Sequence, residues 1–431
     1  MRLARRAPRL IVAAAVAAVC FVGPDAPVEA DFSRPDRRVE APTETRALWV
    51  LRTSLTTPKS IEALVRRARG TGFNTLVVQV RGRGDAYYRG ALEPMPADLL
   101  RQPSTFDPLA AVIAAARPAG LRVHAWVNLN LVSSAVALPS SRAHLVHRHP
   151  DWLMVPRDIA QALAAVPVTS PAYLGRLARW TRSQSGDVEG LYASPAVPAA
   201  QAHAEAVVRD IARRYALDGI HFDYARYPTE RFDYSRAAIS QFRATIRPAI
   251  DVKRRRAIDA REAVDLFAYP DTFPDEWRAF RVARMTALVK RLAAAVTAER
   301  PAALVSVAVA PDRTEALGQR LQDWGAWLSE GLVQAVAPMA YTQEAGRFAE
   351  QIADAREAAG TRAVWAGIGA YRLSPEQTIE NIRTARRLGA DGIILFSYDS
   401  LINPRQTAPN YLPIVGRAAF PDRRPTDTGS R

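Results

Sequence analysis

The chain of 431 residues carries 58 lysines and arginines against 43 aspartates and glutamates, a formal net charge of +15, and 48% of its residues are hydrophobic. This globular composition excludes a disordered or collagen-like chain, and the single long apolar run excludes a multi-span membrane protein. The length suits two or three domains, but it equally suits one large barrel of alternating strands and helices.

The first thirty residues predict an export signal. Four arginines within residues 1–9 precede an apolar stretch at 10–23, and residues 28–30 (VEA) fit a cleavage site before Asp31. The apolar stretch is shorter than the roughly 20 residues of a spanning helix, so cleavage is favoured over a retained membrane anchor. We therefore expect a periplasmic or secreted protein.

Cys20, the only cysteine, lies inside this signal. The exported chain would hold no cysteine, so we expect neither disulfides nor thiolate metal sites. Lipid attachment at Cys20 is disfavoured because Val19 is bulkier than the residue expected before a lipidated cysteine. The basic charge of the rest favours envelope polymers or anionic surfaces over nucleic acid as partners, although a merely solvated arginine-rich surface is the simpler interpretation.

An extended, proline-bearing segment at residues 31–45 is followed by short apolar runs that alternate with helical patterns. Their near-continuous apolar character is typical of strands buried on both faces. Eight such runs occur, at residues 46–52, 74–81, 121–128, 219–224, 304–311, 334–341, 363–371 and 392–398.

Eight strands joined by helices close most economically into a (β/α)8 barrel, because every strand then has two neighbours. We therefore predict an α/β fold with a single barrel over residues 46–419. No GxGxxG follows the first strand, which disfavours a doubly wound dinucleotide fold. Insertions at residues 129–197 and 225–275, after strands three and four, would lie on the face that carries barrel active sites, and residues 420–431 form a predicted disordered tail.

The fourth strand carries the most informative motif, LDGIHFDYARYP. Because side chains alternate along a strand, Asp223 at the barrel mouth would place His221 one layer below it. A carboxylate there, with Tyr224, Arg226 and Tyr227 nearby, can act as nucleophile, general acid or base, or ligand for a sugar hydroxyl. A carboxylate that merely pairs with Arg226 to order the loop is the alternative.

Polar and aromatic residues at the other strand ends resemble the lining of a carbohydrate site, since sugars present flat apolar faces and rims of hydroxyl groups. Taken singly, each aromatic residue could equally serve core packing. The candidate substrate-binding residues, besides the fourth-strand group, are Arg52, Arg81, Asp85, His124, Trp126, Asn128, Asp312, Tyr341, Tyr371, Tyr398 and Asp399.

Glycoside hydrolysis needs two carboxyl groups. Asp223 is the first candidate and Glu344, three residues past the end of the sixth strand, is the second, followed by Asp312 and Asp399. Asp85 could instead hold its own arginine-rich loop through local ion pairs. His144, His147 and His149 show metal-like spacing without a strong fourth ligand, so we expect no metal, and no phosphate-binding loop or other cofactor motif occurs.

Six segments, in this order, resemble the family-10-like glycosyl hydrolase domain of bacterial envelope proteins. The resemblance implies a (β/α)8 barrel, export, and action on glycan strands; one member of that family cleaves peptidoglycan glycan strands that lack stem peptides. The segments, of which the fourth is the most specific, are RALWV, FNTLVVQVRGRGDAYY, DPLAAVIAAARPAGLRVHAWVN, YALDGIHFDYARYP, VQAVAPMAYT and DGIILFSYDS.

By this resemblance Asp223 matches the family's fourth-strand acid. Some relatives have a second acidic residue directly afterwards, where this chain has Tyr224. Polar positions of the other motifs are matched by Arg81, Asp85, His124 and Asn128. The leading hypothesis is an exported glycoside hydrolase acting on a polymeric envelope glycan, and the alternative is a barrel that binds such a glycan without cleaving it.

Overall fold

A computed structural model of the chain describes residues 44–90 and 92–421. The predicted export signal, most of the extended segment and most of the predicted tail lie outside these residues. Within them eight parallel strands form a closed barrel in sequence order, with β8 paired to β1, which confirms the predicted (β/α)8 fold. The strands are β1 (Thr45–Val50), β2 (Thr75–Arg81), β3 (Arg122–Asn128), β4 (Gly219–Asp223), β5 (Leu304–Val309), β6 (Ala335–Ala340), β7 (Ala363–Ile368) and β8 (Gly392–Leu395).

Helices surround the barrel and fill the segments between its strands. They are α1 (Pro58–Gly70), α2 (Pro108–Ala116), α3 (Leu145–Arg148), α4 (Arg157–Ala164), α5 (Pro171–Ser183), α6 (Pro198–Arg214), α7 (Arg236–Ile246), α8 (Val252–Glu262), α9 (Ala268–Thr272), α10 (Pro274–Glu299), α11 (Arg313–Gln319), α12 (Trp324–Ser329), α13 (Ala345–Ala359), α14 (Pro375–Arg387), α15 (Tyr398–Leu401) and α16 (Tyr411–Ala419).

Several helices start at a side chain that satisfies the free N–H groups of the first turn. Thr57 caps α1 and Ser374 caps α14, each in a reciprocal capping box with a proline at the first helical position. Asp107 caps α2 by accepting a hydrogen bond from the N–H of Ala110. These caps set where each helix begins and so fix the length of the preceding loop at the barrel mouth.

The barrel interior combines large aromatic residues with small ones. Trp49, Trp126 and Trp365 pack there with alanines of β1, β5 and β6, an alternation of sizes that lets layers of side chains interdigitate. His221 lies in this interior, fully buried, where its Nε2 accepts a hydrogen bond from the Trp49 indole N–H at 3.1 Å. An indole can only donate, so the neutral imidazole carries its proton on Nδ1, which lies 2.9 Å from Ser306 Oγ.

The two buried histidines of the interior are expected to make the fold sensitive to acid. Burial lowers the pKa of His124 and of His221 to about 3, reinforced for His124 by the positive charge of Arg122, whereas an unfolded histidine titrates near pH 6.5. Between these values the unfolded chain binds more protons than the folded protein does. The free energy of unfolding therefore decreases as the pH is lowered. From pH 7 to pH 5 the loss should be roughly 2 kcal/mol for each histidine.

Urea unfolding at the two pH values measures this loss. His124 Nδ1 has no hydrogen-bond partner among the described residues, so His124→Phe keeps the ring and removes one titrating group. The decrease between pH 7 and pH 5 should be smaller in that variant by about 2 kcal/mol. An unchanged decrease would contradict the assignment of His124 as a neutral, buried imidazole.

The two predicted insertions fold against each other. Residues from 129–197 and 225–275, with the first turns of α10, form a second hydrophobic cluster that includes Leu163, Tyr173, Tyr234, Phe242 and Trp277. Backbone bonds join the two segments, as where the N–H of Tyr234 donates to the carbonyl of Val155 at 2.7 Å. The insertions therefore share one core beside the barrel.

Candidate active site

A cavity of about 550 Å³ opens at the carboxyl ends of the strands. Loops after β1 to β6 and β8 contribute to its wall, which is the face where barrel enzymes place their active sites. The lining residues are Trp49, Leu51, Arg52, Thr53, Gln79, Gly82, Arg83, Trp126, Asn128, Leu131, Asp223, Tyr224, Arg226, Ala308, Ala310, Pro311, Glu315, Arg320, Met339, Tyr341 and Phe396.

Asp223, the last residue of β4, is the buried carboxyl group of this cavity, with only 6% of its surface exposed. Its Oδ2 accepts a hydrogen bond from the Trp126 indole at 3.1 Å and its Oδ1 accepts one from the N–H of Tyr224 at 2.6 Å. Burial raises its pKa, against the opposing influence of Arg226 and of these two donors. Asp223 therefore keeps its proton to a higher pH than an ordinary aspartate and is suited to general-acid chemistry.

Strand register explains the surroundings of Asp223. Asn128 pairs with it across β3 and β4, and Trp126 pairs with His221 one layer down. The Trp126 indole N–H is shared between Asp223 and Asn128 Oδ1, the latter at 2.8 Å. Asn128 in turn donates to the carbonyl of Gly82 at 2.6 Å. The prediction that His221 lies beneath Asp223 is thus confirmed by the pairing, and the carboxyl group is held in one orientation.

An arginine and a second carboxylate lie beside Asp223. Arg226 places its guanidinium 4.3 Å from the centre of the Tyr224 ring and 3.3 Å from Glu189 Oε1. Glu189, from the insertion after β3, also accepts a hydrogen bond from the Tyr192 hydroxyl at 2.6 Å. Although burial alone would raise the pKa of Glu189, Arg226 and the Tyr192 hydroxyl lower it. Arg226 thus acts on two carboxyl groups whose pKa values are shifted in opposite directions, that of Asp223 upward and that of Glu189 downward.

Aromatic rings form the floor and one side of the cavity. Tyr341 and Phe396 are stacked with centroids 5.4 Å apart, and Trp49 meets both of them edge-on. Tyr371 does not line the cavity but packs edge-on against this pair. Its ring centroid lies 6.3 Å from that of Tyr341 and 5.9 Å from that of Phe396. Such a surface presents apolar faces to a flat, hydroxylated ligand.

The loop after β2 explains two of the predicted residues. Arg81 is buried and makes two hydrogen bonds to Glu93, at 2.7 and 2.6 Å, while also donating to the carbonyl of Leu129. Asp85 accepts hydrogen bonds from the N–H groups of Gly82 and Arg83. Neither side chain lines the cavity. Arg81 anchors the end of β3, and Asp85 holds its own loop, which was one of the two alternatives for it.

The predicted residues lie in several different places. Asp223, Arg52, Trp126, Asn128, Tyr224, Arg226 and Tyr341 line the cavity together. His124 and His221 lie inside the barrel, and Tyr227 and Tyr398 are buried in the layer outside it. Asp399 accepts hydrogen bonds from Leu51, Thr53 and Ser54 and so ties α15 to the loop after β1. Asp312 and Glu344 are exposed at the starts of α11 and α13, outside the cavity lining.

Several lining residues were missed by the sequence reasoning. Trp49 lies in the RALWV segment and Phe396 in the DGIILFSYDS segment, near the carboxyl ends of β1 and β8. This position could have identified both as candidate lining residues. Glu315 follows β5 by six residues, on the first turn of α11, and no periodicity marks it. Glu189, which contacts Arg226 but does not line the cavity, was also missed, because it lies deep in an insertion where nothing in the sequence indicates this contact.

Two further properties bear on cofactors and membranes. Across residues 44–90 and 92–421, no cluster of three or more histidine, cysteine or acidic side chains is arranged to hold a metal ion. None of the helices in these ranges is both long enough and apolar enough to cross a bilayer.

Comparison with known proteins places this site in context. Residues 44–372 match the family model described as glycosyl hydrolase-like 10. Glycosyl hydrolase DigH of Escherichia coli K12 is 26% identical over 218 residues, which cover 47% of this chain and 45% of DigH. Glycosyl hydrolase YngK of Bacillus subtilis is 25% identical over 163 residues, 36% of this chain and 26% of YngK. The matched region thus spans less than half of either relative.

Among solved structures, the glycoside hydrolase domain of PgaB (BpsB) from Bordetella bronchiseptica superposes with a TM-score of 0.61. The match covers 88% of this chain and all of that domain, at 15% sequence identity. A likeness at this identity concerns the fold, and it agrees with the closed barrel described above.

Proposed function

Because the chain belongs to the glycosyl hydrolase-like 10 family, we propose that its barrel mouth hydrolyses glycosidic bonds in a polymeric cell-envelope glycan. Membership confirms the resemblance found in the sequence and supports the prediction of a glycoside hydrolase. We propose likewise that the protein is exported, as its first thirty residues predict. Peptidoglycan glycan strands are the first substrate to test.

The observation that carries the proposal is Asp223. A carboxyl group at the end of β4 with a raised pKa, held by two N–H donors and facing an aromatic cavity, has the properties of a general acid for a leaving sugar oxygen. The aromatic rings of Trp49, Tyr341 and Phe396 would bind the apolar face of the sugar.

Glu315 is our candidate for the second carboxyl group. Of the described residues, Asp223 and Glu315 are the two acidic side chains that line the cavity. Glu315 projects from α11 and is exposed, so water or substrate can reach it. In this proposal the second acid follows β5, one of the strand ends that the sequence suggested, but it is a different residue from Asp312 or Glu344.

The proposal is tested by incubating the purified protein with denuded and with peptide-bearing peptidoglycan and analysing soluble products by mass spectrometry. Released fragments with new reducing ends would establish hydrolysis and identify the bond. Intact polymer from both substrates, and from other envelope polysaccharides, would contradict it.

The pH dependence of hydrolysis should respond to Arg226. A general acid must be protonated, so kcat/KM falls as the pH rises through the pKa of Asp223. Arg226 favours the ionised form of Asp223, so Arg226→Met should raise that pKa and move the alkaline limb upward by about 1 unit or more. Arg226→Lys keeps the charge and should leave the limb close to its original position. A downward shift in Arg226→Met would exclude Asp223 as the group that must be protonated.

A glycan-binding barrel without hydrolytic activity is the alternative function. It is favoured by the exposure of Glu315, since Asp223 is then the one buried carboxyl group in the described lining. Retention of polymer by the protein, without fragments, would support this alternative.

A further inference from the structure

The cavity is rich in arginine. Four arginines, Arg52, Arg83, Arg226 and Arg320, line it together with the carboxyl groups of Asp223 and Glu315. The positive charges in the lining therefore outnumber the negative ones. A low-dielectric cleft of one sign concentrates ligands of the opposite sign.

Three of these arginines are bonded to the protein itself. Arg52 donates to Gln79 Oε1 at 2.8 Å and lies 3.9 Å from Asp85. Arg226 is paired with Glu189, as described above, and Arg320 donates to the carbonyl of Pro228. Their donors are at least partly satisfied without any ligand.

Arg83 is different. Its guanidinium makes no hydrogen bond and no ion pair with any residue in 44–90 or 92–421, although the side chain is half-buried. Burial, followed by the like charge of Arg52, lowers the pKa of Arg83 despite the attraction of Asp85. A half-buried cation beside a second cation is costly unless an anion joins them.

The backbone of Arg83 is held in place on both sides. Its N–H donates to Asp85 Oδ1 at 2.9 Å, and its carbonyl lies 2.8 Å from His144 Nε2. His144 Nδ1 accepts a hydrogen bond from the N–H of Val146, so in the neutral ring Nε2 carries the proton and donates to Arg83. The unpaired side chain thus projects from a fixed main chain.

Glycine at position 82 lets the Arg52 side chain lie against the loop that carries Arg83. A Cβ atom at Gly82 would lie 2.5 Å from Arg52 Nη1, so any larger residue would displace Arg52. Gly84, with φ +67°, turns the loop in the left-handed region that favours glycine. The RGRGD motif therefore combines an anchor, Arg81, with an arginine directed at the cavity, Arg83.

We propose that Arg83 and Arg52 form a subsite for a carboxylate substituent of the glycan, so that the cavity selects sugars carrying an acidic group. The planar guanidinium donates two parallel hydrogen bonds to a carboxylate, which a neutral hydroxyl group cannot accept in the same way. This subsite rests on the proposed function only in that the cavity must bind a glycan; hydrolysis is not required.

Binding is therefore measured without turnover, in the Asp223→Asn background, by isothermal titration calorimetry. The probes are denuded peptidoglycan oligosaccharides, which carry a lactyl carboxylate on alternate sugars, and the same oligosaccharides with these carboxyl groups reduced to alcohols. We expect the carboxylate form to bind roughly tenfold more tightly. Adding Arg83→Gln should abolish this preference, whereas adding Arg69→Gln, at an exposed position on α1, should retain it.

Arg83→Gln removes an unpaired charge, so its thermal unfolding midpoint should not fall, and Arg83→Lys should retain part of the preference. Equal binding of both probes, or a preference that survives Arg83→Gln, would overturn the subsite. Tighter binding of a sulfated chitin oligosaccharide than of the carboxylate form would overturn the assignment to carboxylate. Preference without any fragment release in the hydrolysis assay would leave the subsite standing while rejecting the hydrolase.

Discussion

Replacing Asp223 by asparagine is expected to lower kcat for glycan hydrolysis by about 10³-fold or more, to the limit of detection. Asparagine keeps the shape of the side chain and can still accept a hydrogen bond from Trp126, but it has no proton to give to the leaving oxygen. The raised pKa of Asp223 is useful only if that proton is transferred. Fragment release, followed over time by mass spectrometry, measures the effect.

Glu344→Gln provides a matched control for Asp223→Asn. It makes the same chemical change at the exposed start of α13, outside the cavity lining, and we expect it to reduce hydrolysis far less. Glu315→Gln should produce a large loss if Glu315 is the second acid. Hydrolysis at the native rate by Asp223→Asn would rule out this carboxyl group as the essential one.

Replacing Glu93 by glutamine is expected to lower the free energy of unfolding by about 3 to 5 kcal/mol. The side chains of Glu93 and Arg81 are only 1% and 3% exposed and are joined by two hydrogen bonds. Glutamine would leave the Arg81 guanidinium buried without a counter-charge, at the point where it also binds the backbone at the end of β3. Urea or thermal unfolding measures the change.

Glu62→Gln is the comparison for Glu93→Gln, since Glu62 forms an exposed pair with Arg66 one turn apart on α1, worth about 0.5 kcal/mol or less. Acid provides a second test. Burial alone would raise the pKa of Glu93, but Arg81 and His203 lower it to about 2. The stabilisation is therefore present above the unfolded pKa near 4.5 and lost as the pH falls toward 2. Equal loss of stability in the two variants would contradict a buried ion pair.

The fold was predictable because its signals are local. Each strand is a short apolar run and several helices begin with a side-chain cap, as at Thr57 and Ser374, so neighbouring residues suffice to locate them. Closure of the barrel then follows from the number of strands. The position of Asp223 above His221 was also predictable, since it depends only on alternation along β4.

The roles of polar residues at strand ends were less predictable. Asp399 and Arg81 are residue types expected in a substrate site. Their hydrogen bonds, however, are made within the protein, to Leu51 and Glu93 respectively. The contact with Leu51 spans 348 residues of sequence. Whether a polar side chain faces the cavity or a neighbouring loop depends on such distant contacts, which no local pattern encodes.

Glu189 is a residue near the site that the sequence did not indicate. Its carboxylate meets Arg226 only because the insertions after β3 and β4 pack together. The sequence predicted both insertions and the face on which they lie, but it could not pair individual residues between them. The electrostatic surroundings of Asp223 therefore emerge only from the folded structure.

The shared core of the two insertions constrains how this protein can diversify. Tyr173 from one segment and Phe242 from the other are buried in the same cluster, so deleting or exchanging either segment alone would expose the apolar surface of its counterpart to water. Recombination between related barrels would therefore have to transfer both insertions as a pair. Because this pair also carries Glu189 and Arg226, the charges that set the acidity of Asp223 would be inherited with it.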